Sequence, residues 1–182
     1  MRRMNESTSQ QLQALSHVHK LLEEGGIAYW LFGGWAVDFY AGSITRAHDD
    51  VDIAVWLEDL PAIHHILEEG GWRHAPTEDA DGGTQYEQGA VRLGLTYLVR
   101  DDAGNTFIPL ESGRVPWTAE LFGNDVRELQ GVRARVVSLA PLMLGKSFPR
   151  EDPEDAVKDR SDFAVLSSLT REAEPGTFDS AP

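Results

Sequence analysis

Two aspartates separated by a single residue, Asp50 and Asp52, stand at the start of the apolar run VDIAVW, residues 51–56. The run predicts a β-strand, and strand residues two apart lie on the same face, roughly 7 Å from each other. Two carboxylates that close repel each other unless a cation lies between them. Their hard oxygens suit Mg²⁺, which takes waters and substrate phosphates as its other ligands. The pair therefore predicts a magnesium site.

A pair of adjacent glycines, Gly33 and Gly34, precedes the aspartates. The glycines follow the apolar stretch IAYWLF and open a short helical pattern, WAVDFYAG at 35–42. Free amide groups at a helix N-terminus can hold a phosphate. Together the two features predict a triphosphate bridged by Mg²⁺, an arrangement that serves phosphoryl or nucleotidyl transfer. Each feature alone is weaker evidence, because aspartates and glycines also crowd ordinary turns.

The whole segment GGWAVDFYAGSITRAHDDVDIAV resembles the polymerase-β-type nucleotidyltransferase superfamily. Within it, the segment is most similar to aminoglycoside 2''-nucleotidyltransferases and lincosamide nucleotidyltransferases, which carry G-G-W-x-V-D followed by T-R-x-H-x-D-x-D. The resemblance implies transfer of NMP, AMP from ATP being the expected case, to a hydroxyl of a small molecule such as an aminoglycoside-like antibiotic. It assigns nucleotide-phosphate contacts to Gly33 and Gly34, and Mg²⁺ ligation to Asp50 and Asp52.

The sequence leaves two alternative roles for each of two residues in this segment. The resemblance places Arg46 either beside the phosphates or against Asp38, as a brace. His48 is either a metal ligand or a polar scaffold residue.

A second match lies near the C-terminus, in LAPLMLGKSFPREDPEDAVKDRSDFAVL. It resembles a helical motif of related nucleotidyltransferases, in which a lysine on one helix is followed by K/R-D-x-x-D-L on the next. The resemblance makes Lys146 the residue that meets the triphosphate, with Lys158, Asp159, Arg160 and Asp162 forming the following K-D-R-x-D. The alternative is a surface helix with charges at i, i+4 spacing.

A third acidic residue is expected in such enzymes, on a later strand that faces the D-x-D pair, as a metal ligand or general base. The strand that fits is VRLGLTYL, 91–98, where the acidic position falls on Gly94. A shifted register would let Glu87 or Glu111 serve, and Glu87 is the nearer candidate for a catalytic role. Otherwise the protein binds nucleotide without turning it over, or the acceptor is activated by other means, including assistance from the substrate itself.

The elements needed to position these residues alternate along the chain. Helical periodicity at 7–24 is followed by strand, helix, strand and helix patterns, then period-2 segments with a hairpin loop at RDDAGN, and finally two helices. This order predicts an α/β (α+β) fold with a mixed sheet flanked by helices. We expect a nucleotidyltransferase domain at 1–138, a helical segment at 139–170 packed on it, and a disordered tail at 171–182.

The composition of the chain limits the classes of ligand and partner that it can bind. The chain has 182 residues, no cysteine and a net charge of −14, so thiolate metal sites are excluded and nucleic acid is an unfavourable partner. No apolar run approaches the roughly 18 residues that span a bilayer, and a cytoplasmic monomer or homodimer is expected. The acidic surface favours a cationic acceptor, although a protein hydroxyl stays an alternative. The residues expected to bind the ammonium groups of a cationic acceptor are Glu87, Asp101, Asp102, Glu111, Glu120 and Asp125.

Overall fold

A computed structural model describes residues 6–77 and 81–173. Its helices are α1 (Glu6–Glu24), α2 (Gly33–Ala41), α3 (Leu60–Glu69), α4 (Leu139–Ser147) and α5 (Pro153–Ala173). Its strands are β1 (Tyr29–Phe32), β2 (Val51–Trp56), β3 (Arg73–His74), β4 (Gly83–Gln88), β5 (Val91–Arg100), β6 (Thr106–Leu110), β7 (Gly113–Pro116), β8 (Val126–Leu129) and β9 (Val132–Arg135). The predicted helix–strand order is confirmed, and the short strands β3, β7 and β8 are additions to it.

The sheet is mixed, as the sequence predicts. Its main path runs β1-β2-β5-β4-β3, with β6 paired to β5 and β7 to β6. β2 and β5 are parallel, whereas β1–β2, β4–β5 and β5–β6 are antiparallel. The parallel pair β2–β5 lies at the centre, so the residues at its start are held by neighbours on both sides.

One face of the sheet is covered by helices and the other borders a cavity. Helix α1 turns its apolar stripe inward, and Leu15, Val18 and Leu22 are fully buried. On β5, Leu93 and Leu95 join this core, while the alternating Gly94 is only half-buried on the opposite face. The period-2 pattern therefore separates a packing face from a face that is free for ligands.

The C-terminal helices pack on one another, and α5 also contacts α2. Helix α5 continues to Ala173, so the chain is helical past residue 171, where the tail was predicted to begin. The remainder of the predicted tail lies outside the described residues. None of the helices in the described ranges is both long and apolar enough to cross a membrane.

Candidate active site

The register of the central strands places Asp52 directly beside Gly94. A Cβ added at Gly94 would lie 2.7 Å from Asp52 Oδ1, and one added at Gly33 would lie 3.1 Å from Asp52 Oδ2. The Asp52 carboxylate thus fits between two positions that carry no side chain. Asp50 stands two residues earlier in the chain and lines the same cavity. The expected third carboxylate is absent at the position next to Asp52.

The electrostatics of the aspartate pair suit a divalent cation. Burial, together with the nearby charge of Asp50, raises the pKa of Asp52 to about 7. A bound cation would offset both effects. No cluster of three or more His, Asp or Glu able to hold a metal occurs in the described ranges. A cation here would have Asp50 and Asp52 as its protein ligands and would draw on phosphate and water oxygens, which matches the ligand preference of Mg²⁺.

The glycine turn forms the neighbouring wall of the cavity. Helix α2 begins at Gly33, immediately after β1, and Gly33 has a φ of +69° that disfavours any residue with a Cβ. A Cβ at Gly34 would collide with the Arg46 guanidinium and lie 2.6 Å from His48 Nδ1. Both positions therefore favour glycine, and both glycines line the cavity in the first turn of α2, where backbone N–H groups have no partner within the helix.

The loop between α2 and β2 is fixed by the buried side chain of Asp38. The Asp38 carboxylate accepts hydrogen bonds from Thr45 N at 3.0 Å and from His48 Nε2 at 2.6 Å. The His48 ring packs on Trp35 with its centroid 4.6 Å away, and Gln11 Nε2 donates to the His48 carbonyl at 3.0 Å. His48 is a scaffold residue in this arrangement, because these contacts hold its ring against α2.

Two cations on the cavity wall are held by carboxylates of α5. Arg46 donates from Nε and Nη2 to the two carboxylate oxygens of Asp162 at 2.8 and 2.9 Å. Lys146 Nζ lies 2.7 Å from Asp159 Oδ1 and 2.8 Å from Asp162 Oδ2. Asp162 has a side chain only 1% exposed and joins both cations. Arg46 therefore does not contact Asp38 directly, and its link to Asp38 passes through His48. Its place in the cavity lining leaves the expected role beside the phosphates a prediction.

A cavity of about 700 Å³ brings most of the sequence-predicted site together. Nine of the residues singled out from the sequence line it: Gly33, Gly34, Arg46, His48, Asp50, Asp52, Lys146, Lys158 and Asp159. Its volume is sufficient for a nucleotide or drug-sized ligand.

Glu87, in contrast, does not line this cavity. The β4–β5 register sets Gln85 opposite Gly94 and Glu87 opposite Arg92, and the Glu87 carboxylate forms an ion pair with Arg73. The structure therefore does not bring Glu87 beside Asp52, since β5 lies between β4 and β2.

One wall of the cavity is largely apolar, and its residues could not be predicted from the sequence. It includes Ile108, Pro116, Trp117, Leu142 and Phe148. None of the six acids predicted to receive ammonium groups is among the described residues that line the cavity.

Arg92 does line the cavity, and the sequence analysis did not single it out. The sequence could have indicated this position, because Arg92 lies two residues before Gly94 on one strand and residues two apart share a face.

A comparison with protein families matches residues 14–166 to the family described as aminoglycoside-2''-adenylyltransferase. This match covers most of the chain. The chain belongs to that family. A 2''-aminoglycoside nucleotidyltransferase from Escherichia coli is 36% identical over 115 residues, covering 60% of this family member and 64% of the relative. A lincosamide resistance protein from Staphylococcus haemolyticus is 34% identical over 59 residues, covering 32% of this chain and 37% of the relative.

Solved structures share the fold of this family member. The lincosamide adenylyltransferase LnuA, solved with lincomycin bound, matches with a TM-score of 0.67 and 21% identity, covering 86% of this chain and 96% of that one. ANT(2'')-Ia, solved in complex with adenylyl-2''-tobramycin, matches with a TM-score of 0.62 and 17% identity, covering 91% and 99%. The nucleotidyltransferase fold predicted from sequence is thereby confirmed.

Proposed function

We propose that the protein transfers a nucleoside monophosphate from a nucleoside triphosphate to a hydroxyl of a small molecule and releases pyrophosphate. The observation that carries this proposal is the single cavity wall that joins the Asp50–Asp52 pair to the N-terminus of α2. The glycine turn supplies donors for phosphate oxygens, and Arg46 and Lys146 supply positive charge beside it. Family membership supports the same reaction class.

The donor in this proposal is ATP, and the ion is Mg²⁺ held by Asp50 and Asp52. When bound, the ion would neutralise charge on the phosphates. The protein itself would bind and orient the triphosphate through the backbone amides of α2, and the cavity walls would shield it from water. Because the protein needs ATP, we expect it to act in the cytoplasm, and the net charge of −14 argues against a nucleic-acid acceptor.

The acceptor in this proposal is an aminoglycoside-like antibiotic. The family description and the names of the relatives support this class, and the acidic net charge favours a cationic molecule. The apolar wall around Trp117 offers a surface for the ring faces of such a molecule.

Mass spectrometry of the acceptor tests the proposal. Purified protein is incubated with MgCl₂, ATP and either tobramycin or lincomycin, and the antibiotic is examined for a gain of one AMP. Omission of MgCl₂, with EDTA added, is the control. We expect an adenylylated antibiotic that disappears without Mg²⁺. Absence of product with every nucleoside triphosphate and every antibiotic of a broad panel would contradict the proposal.

Gly94 favours a second candidate, a member that binds nucleotide without turnover. The position beside Asp52 has no carboxylate that could serve as a general base. Calorimetry separates the two candidates: Mg²⁺-dependent ATP binding in a sample that forms no product supports the second. A product in the same sample rules the second candidate out.

A further inference from the structure

Two histidines lie side by side at the edge of the sheet formed by β3. His64 belongs to α3 and His74 to β3, and their ring centroids are 4.4 Å apart at an interplanar angle of 86°. Both residues are half-buried, and neither is among the described residues that line the cavity. The proposed reaction therefore gives this pair no role.

Each of the two rings is fixed to a hydroxyl group of β4. His64 Nδ1 lies 2.8 Å from the Tyr86 hydroxyl, and His74 Nε2 lies 2.7 Å from Thr84 Oγ1. The fully buried Tyr86 ring also packs on His74, with centroids 5.0 Å apart. Neither imidazole can turn away from the other without breaking one of these hydrogen bonds. We call the four residues His64, His74, Thr84 and Tyr86 the histidine cluster.

The surroundings of the histidine cluster disfavour positive charge. Burial lowers the pKa of His74, the neighbouring His64 lowers it further, and Glu68 on the next turn of α3 opposes both. Glu68 is exposed, so solvent and salt weaken its influence. Tyr86 and Tyr97 add no negative charge, because burial raises the pKa of each phenol.

Other charged groups of the adjoining strands lie on the opposite face of the sheet. Arg73 and Glu87 form an ion pair, and each alternates along its strand with a member of the histidine cluster. Arg92 of β5 is the cross-strand neighbour of Glu87 and shares that face. Helix α1 meets α3 through apolar contact, with Leu21 against Gly70. Glu68 can therefore offset the charge of one histidine of the cluster but not of two.

We infer that the histidine cluster is a pH-sensitive switch, which holds at most one proton while α3 and β3 stay packed on β4. Two imidazolium rings at 4.4 Å would repel each other beside a single exposed carboxylate. The weakest attachment is that of β3, which has two residues and lies at one end of the strand order. A second proton therefore opens this edge of the sheet locally. The switch is independent of nucleotidyl transfer.

The sign of the pH dependence follows from the protons bound in the closed and opened states. The opened edge binds protons on both histidines near the ordinary pKa of 6.5, whereas the closed cluster resists the second one. The closed state is therefore most stable above about pH 6.5, and its stability is lost as the pH falls further.

Backbone amide exchange measures the opening at a single position. The Ala75 amide follows β3 and donates to the Gln85 carbonyl at 2.8 Å, so its protection depends on the closed edge. The Val137 amide, which donates to the Leu31 carbonyl of β1 at 3.0 Å, is the reference. Protection factors are measured by NMR at about pH 7.5 and about pH 5. EDTA is present so that no metal ion bridges the two rings.

Three substitutions separate the pair from other titrating groups. His64→Gln and His74→Gln each remove one ring of the pair, and His65→Gln is the matched control. His65 is the neighbour of His64 on α3, but its side chain is 72% exposed and lies 3.5 Å from Glu69. Groups outside the cluster titrate alike in all four proteins, so they cancel in the comparison.

We expect the protection factor of Ala75, relative to that of Val137, to fall about tenfold or more at the lower pH in the natural chain, because one unit of pKa shift is a factor of ten. His65→Gln should show the same fall, whereas His64→Gln and His74→Gln should reduce it to less than about threefold. An equal fall in all four proteins would overturn the inference, as would unchanged protection in the natural chain.

A titration of the imidazole signals in the natural chain tests the switch without any substitution. We expect the second proton of the pair to bind only as the Ala75 amide loses protection. Both rings taking up protons near the ordinary pKa of 6.5, with the native spectrum retained, would overturn the inference.

Discussion

At the scale of single residues, the site requires glycines beside its aspartates as well as the aspartates themselves. Asp52 fits between Gly33 and Gly94, with 3.1 and 2.7 Å from its carboxylate oxygens to the Cβ positions that these glycines lack. A Cβ at position 94 would force the carboxylate to move, whereas one at position 33 would require a shift of a few tenths of an ångström. The two glycines differ in backbone terms, because only Gly33 has a positive φ.

Gly33→Ala should weaken nucleotide binding, and Gly42→Ala is its matched control. Both glycines have φ near +66° to +69°, so both substitutions should cost roughly 1–2 kcal/mol of stability. A Cβ at Gly42 meets nothing within 4 Å, whereas one at Gly33 approaches Asp52. We expect the KM for ATP to rise about tenfold or more in Gly33→Ala only. Equal KM values in the two variants would place the phosphates elsewhere.

The pKa of Asp52 makes the stability of the metal-free protein depend on pH. The folded-state pKa of about 7 lies above the ordinary value of 3.8, so the folded protein retains a proton that the unfolded chain releases. The contribution is complete below about pH 4 and is lost as the pH rises through 7. In EDTA, we expect Tm to fall over this range, and Asp52→Asn to remove this part of the fall. An identical pH dependence in the variant would show that the pKa of Asp52 is not raised.

At the scale of elements, helix α5 reaches across the cavity wall and fixes the cations of two other segments. Asp162 binds Arg46, which is 116 positions away in the sequence, and Lys146 of α4. This contact explains why the K-D-R-x-D segment is more than a charged surface helix. Its two aspartates are buried, while Arg160 is exposed.

Asp162→Asn should destabilise the fold far more than Asp155→Asn on the same helix. Removing the buried Asp162 charge leaves two cations without a full partner, and breaking a buried pair costs about 3–5 kcal/mol. Asp155 is 55% exposed, and its surface pair is worth less than about 1 kcal/mol. The shift of the urea unfolding midpoint, at an unchanged m-value, measures the stability lost in each of the two variants. Similar midpoints for the two variants would contradict this role for α5.

Local pattern was enough to predict several of these elements. VDIAVW is a strand with the predicted bounds, and the loop at RDDAGN connects β5 to β6. The short strands β7 and β8 were not predicted, because GRVP and VREL are largely exposed and carry little alternation. Glu87 shows the limit for site residues: its strand was predicted, but only the β4–β5 register reveals that Gln85 faces Gly94.

At the scale of the whole molecule, the net charge of −14 is a long-range feature that no single contact provides. The cavity is lined by both signs of charge, so attraction of a cationic acceptor would come from the overall field. The separation of the chain into 1–138 and a helical segment at 139–170 stays a proposal. The ion pairs of α5 with Arg46 and Lys146 give it a physical basis, because they tie the two parts at the cavity.

Salt should therefore slow capture of a polycationic acceptor. At saturating ATP, we expect kcat/KM for tobramycin to fall about tenfold between low and high ionic strength, because screening removes the attraction. The kcat at saturating tobramycin should change little and serves as the internal control. A kcat/KM that is independent of salt would show that the acidic surface has no part in acceptor binding.

The measurement that tests the central claim most directly is the rate of pyrophosphate release by Asp50→Asn, compared with Asp49→Asn. Both residues line the cavity, but Asp49 is 63% exposed and pairs with Lys158, whereas the charge of Asp50 acts on Asp52. With tobramycin and MgATP, we expect Asp50→Asn to lose about 10³-fold or more, and Asp49→Asn to stay within about tenfold of the natural chain. Undiminished release by a folded Asp50→Asn protein would contradict the assignment of this aspartate pair as the catalytic centre.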